Sequence, residues 1–128
     1  DFDQAAAALD FHLREDFTVP HVGLRLWGPA ALDRPEFGEV SEQTRTSASG
    51  LAYPFCGPAG TQEVMQWFGE EAQHVRSLAI VALRHEGDTI GMVALGSEDP
   101  ERFYPDMGTI YLVRIGELAA AAFARTLG

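Results

Sequence analysis

Two apolar runs separated by a short polar joint constrain this chain more than any other feature. Leu78-Ala79-Ile80-Val81-Ala82-Leu83 and the run from Ile90 to Leu95 are apolar on both parities. Strands of that kind are covered on both faces and lie mid-sheet. The joint, His85-Glu86-Gly87-Asp88-Thr89, holds a glycine placed for a tight hairpin. A loop of Glu86–Asp88 pairs His85 with Thr89. One face of the Ser77–Gly96 hairpin then carries Ser77, Ala79, Val81, Leu83, Gly91, Val93 and Leu95. The other carries Leu78, Ile80, Ala82, Ile90, Met92 and Ala94. Both faces need cover, and the rest of the chain must supply it.

Helices at the two ends are the natural cover. Asp3–Phe17 holds an alanine run with Leu9, Leu13 and Phe17 recurring on one face. Met107–Leu127, with Asp106 as its N-cap, repeats apolar residues through Ile110, Val113, Leu118 and Phe123. Between these ends, Val22, Leu24 and Leu26 alternate with His21, Gly23, Arg25 and Trp27 as in a strand. Ala30–Ser49 has weak patterning and reads as loop or edge structure. A short strand is expected over Gly50–Phe55, then a turn at Cys56–Gly60. A short helix follows with Thr61 as N-cap and Gly69 as C-cap. Asp99-Pro100 reads as one helical turn that Pro105 interrupts. The order describes an α+β domain with a central antiparallel sheet.

A chain of 128 residues fits one domain, expected to span residues 1–128, and can bury enough surface to need no disulfide or metal. Asp1 in place of an initiator Met leads us to expect a longer gene product with an upstream segment. The net charge is −10, and the nine basic residues, all Arg, are scattered along the chain. No basic stripe exists to neutralise phosphates, so neither nucleic acid nor an anionic membrane is an expected partner. Cys56 is the only cysteine, which excludes an internal disulfide and a cysteine-based zinc site. A cytoplasmic setting is the simplest expectation.

The run from Ile90 to Thr109 resembles the bacterial family called "domain of unknown function 484". Three elements carry the likeness: Leu95-Gly96-Ser97-Glu98-Asp99, Arg102-Phe103 and Met107-Gly108-Thr109. Leu112, Ile115, Gly116, Glu117 and Leu118 continue it. Upstream, Leu24-Arg25-Leu26-Trp27 and Tyr53–Pro58 also look similar. That family is regarded as GAF-like. The resemblance implies a GAF-like, profilin-like fold: a six-stranded antiparallel sheet, terminal helices on one face and a small-molecule pocket on the other. It also implies dimers formed through the terminal helices. It names no ligand, so any cofactor stays unknown.

Each candidate for chemistry has a plainer reading. Some GAF-like proteins reduce free methionine sulfoxide through cysteines, and others attach a bilin through one. The reductase chemistry needs a resolving cysteine, and Cys56 has none, so a buried structural thiol is expected. The histidines His12, His21, His74 and His85 give no ligand spacing on a helix face. In Ser97–Arg102, Asp99 reads as a cap and Arg102 as a partner for nearby carboxylates. Gly91 and Gly96 read as close-packing positions.

The aromatics of the weakly patterned middle are the better candidates, because ligand pockets are mostly apolar with a few polar anchors. We expect a tentative pocket from Arg25, Trp27, Phe37, Tyr53, Phe55, Cys56 and Trp67, with Arg25 anchoring an anion. The leading expectation is a non-catalytic sensory or regulatory domain. It would bind a small molecule between the sheet and the Ala30–Phe68 region and dimerise through its terminal helices. The first alternative is an interaction and dimerisation module whose pocket is filled by side chains. The second is a cysteine-dependent reductase of the free methionine sulfoxide type.

Overall fold

The structure, a computed structural model, describes residues 2–15, 19–27, 42–51, 53–59, 63–85, 87–105 and 107–127. In chain order the elements are α1 (Phe2–Glu15), β1 (His21–Leu26), α2 (Glu42–Ser49), β2 (Phe55–Pro58), a 3-10 segment (Glu63–His74), β3 (Ser77–His85), β4 (Asp88–Ser97) and α3 (Ile110–Leu127). The four described strands form one antiparallel sheet in the order β1-β4-β3-β2. The family resemblance implies six.

The β3–β4 hairpin is the centre of that sheet, as its two-sided apolar pattern requires. From Ser77↔Ser97 to Leu83↔Gly91 the partners follow the register expected from sequence. Past Leu83 the register shifts, and Arg84 pairs with Thr89 and His85 with Asp88. The connection is therefore one residue shorter than expected, and Gly87 turns it with φ 87°. The shift leaves Ile90 as an extra residue in β4, the geometry of a β-bulge. Ile90 consequently packs with the Val81–Val93 face and not with Met92, which corrects the sequence assignment.

Each hairpin face has its own core. Ala79, Val81, Leu83, Val93 and Leu95 lie with Leu26, Cys56 and Phe103 beneath the terminal helices, which contribute Leu13, Leu112, Ala119, Ala120 and Phe123. Leu78, Ile80, Met92 and Ala94 lie beneath α2 and the 3-10 segment, which contribute Ala48, Val64 and Phe68. Fully burying a side chain such as Phe123 or Leu13 stabilises the fold by about 1.5–3 kcal/mol. Gly116 lets α3 settle close to the sheet: a Cβ there would come within 2.7 Å of the Val81 Cγ1.

Five further sequence expectations need correction. The weakly patterned region contains a helix, α2, although only Ala48 of it is buried. It lacks an apolar stripe because tertiary hydrogen bonds hold it instead. Arg84 Nη2 lies 2.9 Å from the Ala48 carbonyl, 3.3 Å from that of Ser49 and 2.5 Å from that of Leu51. A cation at a helix C-terminus satisfies orphan carbonyls and the macrodipole together. Second, the short strand is Phe55–Pro58 and not Gly50–Phe55; Cys56 and Gly57 pair with Ala79 and Leu78 where a turn was expected. Third, Asp99-Pro100 opens a non-helical turn. Asp99 Oδ1 accepts from the Glu101 N–H at 2.9 Å, a local bond that competes with helix. Fourth, α3 starts at Ile110 and not at Met107, with the Val113 N–H donating to the Thr109 carbonyl. Gly69, expected to cap a helix, instead breaks the 3-10 segment with φ 64° and ψ −137°.

Candidate functional site

The strongest concentration of recognition chemistry lies on the sheet face beneath α2 and the 3-10 segment. Alternation in β1 turns Gly23 toward Trp67; a Cβ on Gly23 would come 2.9 Å from the Trp67 Cβ. The missing side chain lets the tryptophan lie close over the strand. Two residues on, the Arg25 guanidinium carbon sits 5.2 Å from the centroid of the Trp67 ring. Arg25 also donates to the Leu24 carbonyl at 2.7 Å, which fixes its direction. From α2, Arg45 places its guanidinium 5.8 Å from the Trp27 ring centroid. Each such pair contributes about 0.5–1 kcal/mol at a partly exposed site. Trp27, Phe55 and Trp67 are half-buried and pack against the same core cluster. Two cations over two half-buried indoles make a surface suited to a flat, anionic molecule.

The other expected pocket residues lie elsewhere. Phe37 is outside the described residues. Cys56 points to the opposite face, buried in the cluster beneath α3. Desolvation pushes its thiol up, and the Arg102 charge offsets that only in part. A thiol held in its neutral form is a poor nucleophile near neutral pH. Tyr53 is exposed and borders α3, where it lines a cavity of about 430 Å³ with Thr109, Ile110, Val113, Arg114, Glu117 and Leu118. Arg25, Trp27, Phe55 and Trp67 thus share one face, and Cys56 and Tyr53 do not join them.

The acidic loop after β4 is scaffold. The buried Ser77 hydroxyl donates to the Asp99 carbonyl at 2.7 Å and accepts from the Phe103 N–H at 3.3 Å. That tie seats Phe103 in the core. His21 at the start of β1 reaches Glu98 at 3.2 Å and stands edge-on to Phe68. Among the described residues no group of His, Cys, Asp or Glu side chains is arranged to hold a metal ion.

Sequence reasoning missed Arg45, Arg84 and the outer face of α3. Arg45 and Arg84 carry no local signal, since their partners are distant in the chain. The α3 surface did carry one. Ile110, Tyr111 and Leu118 fall on one side of a helix whose other side is also apolar, and they are 74%, 73% and 73% exposed. Beside them a groove of about 390 Å³ runs between α1 and α3, lined by residues that include Leu9, His12, Tyr111, Ile115 and Leu118.

A family model described as "Protein of unknown function, DUF484" matches residues 1–126. The chain belongs to the DUF484 family. Its fold is that of GAF domains. A domain of a protein from Sinorhizobium meliloti 1021, described as a two-component sensor histidine kinase, superposes with a TM-score of 0.63. Identity is 12%, over 98% of this chain and 92% of that one. The GAF3 domain of Slr1393 from Synechocystis sp. PCC6803, in its photoproduct state, superposes with a TM-score of 0.61. It is also 12% identical, over 99% of this chain and 96% of that one. No curated protein matches the chain in sequence. Likeness at this identity establishes the DUF484 chain's architecture and leaves its chemistry to its own residues. Among the described residues, no helix is long and apolar enough to cross a membrane.

Proposed function

We propose that this chain is a non-catalytic regulatory domain that receives a small anionic molecule on the Arg25–Trp27–Trp67 face and pairs with a second copy through its terminal helices. The observation that carries this reading is the pair of arginine-over-tryptophan stacks, Arg25 on Trp67 and Arg45 on Trp27. A half-buried aromatic surface with cations directed at it supplies stacking and charge in one place. The protein from Sinorhizobium is described as a sensor kinase and the Synechocystis domain as having a photoproduct state; both descriptions motivate a responsive role here. A ligand that binds better when α2 and the 3-10 segment are drawn onto the sheet would shift the population toward that arrangement. The terminal helices, on the opposite face of the same hairpin, would carry the change outward.

A second reading has its own support. Trp67 packs over Gly23 and both tryptophans adjoin the core cluster, and in this reading the face is filled by its own side chains. The domain is then an interaction and dimerisation module. Native mass spectrometry of gently purified protein separates the two. A reproducible added mass supports the ligand-binding reading. Apo species alone, with no thermal shift across a metabolite panel, leaves the interaction module.

A further inference from the structure

We infer that two copies of this chain pair through antiparallel α3 helices, with Arg114 of each opposite Glu117 of the other. The inference rests on the proposed pairing through terminal helices and specifies its geometry.

The buried side of α3 includes Leu112, Gly116, Ala119, Ala120 and Phe123. The outward side carries Ile110, Tyr111, Arg114, Glu117, Leu118 and Ala121, all exposed. Large apolar side chains grouped on one exposed helix face mark an interaction surface. What covers it is decided by charge. Arg114 and Glu117 stand on the same outward face, three residues apart, and among the described residues neither has a hydrogen-bond or ion-pair partner.

Consider the two symmetric ways of bringing α3 against itself. In a parallel twofold pair each residue faces its own copy, so Arg114 meets Arg114 and Glu117 meets Glu117. Both contacts repel. In an antiparallel pair the residues exchange places, and Arg114 meets Glu117 of the second copy twice over. The same register sets Ile110 opposite Ala121 of the second copy, a large side chain against a small one. Helix geometry then brings Leu118 alongside Tyr111 of the second copy, since both lie on one flank of the helix. Charge and volume therefore select the same orientation. The terminal helices also suit a like-charged partner. In a chain of net charge −10, α1 and α3 together carry Arg14, Arg114 and Arg125 against Asp3, Asp10, Glu15 and Glu117.

The test is a charge swap read by sedimentation velocity on the 128-residue protein. Wild type is expected to be dimeric. Arg114→Glu and Glu117→Arg are each expected to weaken the dimer about tenfold or more, because like charges then face each other twice. Arg114→Glu/Glu117→Arg in one chain is expected to restore it. A dimer indifferent to the single reversals, or not restored by the double, overturns this register and leaves pairing by the terminal helices standing. A wild-type monomer across the concentration range overturns both. Cysteine crosslinking provides an independent readout. Mixing Ile110→Cys with Ala121→Cys should give the mixed disulfide, as disulfides form only between closely placed residues. Ile110→Cys crosslinking to itself would instead establish the parallel pair and overturn the inference.

Discussion

The guanidinium carbon of Arg25 lies 5.2 Å from the centre of the Trp67 indole, and the strand beneath makes this possible by having no side chain at Gly23. One glycine thus determines whether the aromatic surface forms. Gly23→Val is expected to drive Trp67 off β1 and destabilise the domain by about 1–3 kcal/mol, the cost of overpacking a fitted site. Urea unfolding followed by tryptophan fluorescence checks both effects together. An unchanged midpoint would mean that Trp67 does not rest on the strand.

Ser77 has the opposite character, a buried polar group whose hydroxyl is fully used. Ser77→Ala removes the acceptor of the Phe103 N–H, leaving that group unsatisfied, and one of the two donors to the Asp99 carbonyl, which keeps the Arg102 N–H at 3.2 Å. The expected loss is about 1–3 kcal/mol. Thermal unfolding of the variant should show it. A variant as stable as wild type would refute the tie between β3 and the loop that seats Phe103.

Arg84 holds α2 by its last carbonyls. Arg84→Ala should loosen α2 at a cost of about 1 kcal/mol, with Arg84→Lys recovering only part, since a lysine cannot span the same carbonyls. Amide exchange provides the local readout. Protection in Glu42–Ser49 is expected to fall while that of β3 and β4 holds. Equal loss throughout the sheet would contradict a local role for Arg84.

Cys56 sets a pH dependence with a definite sign. Burial raises its folded thiol above the ordinary range, so the folded state keeps the proton longer than the unfolded chain. The stabilisation is complete below the unfolded thiol's pKa and is lost as pH rises through the folded value. Stability should therefore fall at alkaline pH in wild type and fall less in Cys56→Ala. Alkylation at neutral pH should be slower than for a free thiol. Rapid alkylation of the folded protein would reopen the reductase reading.

The parts of this fold that could be read from the sequence are those set by local pattern. The two faces of the hairpin follow from the period-two geometry of its strands, and the register from the expected Glu86–Asp88 loop; the loop is one residue shorter, and the bulge restores the expected pairing from Leu83↔Gly91 to Ser77↔Ser97. The exception is Ile90, where the bulge interrupts the alternation. Helix α2 was hidden because its stability comes from Arg84, more than thirty residues away in sequence. The candidate site was divided for a similar reason. Arg25 in β1 and Trp27 just past its end share a parity, so their common face was legible. Cys56 and Phe55 are adjacent in β2, and neighbours in a strand face opposite ways. An expected turn at Cys56 obscured that alternation and placed the thiol with the aromatics.

Native mass spectrometry of the wild-type protein beside Arg25→Ala tests the account most directly. The proposed role predicts a reproducible added mass on wild type that is reduced or absent in Arg25→Ala, with both proteins folded by circular dichroism. Wild type found only in apo form, with no thermal shift across a metabolite panel, would contradict it.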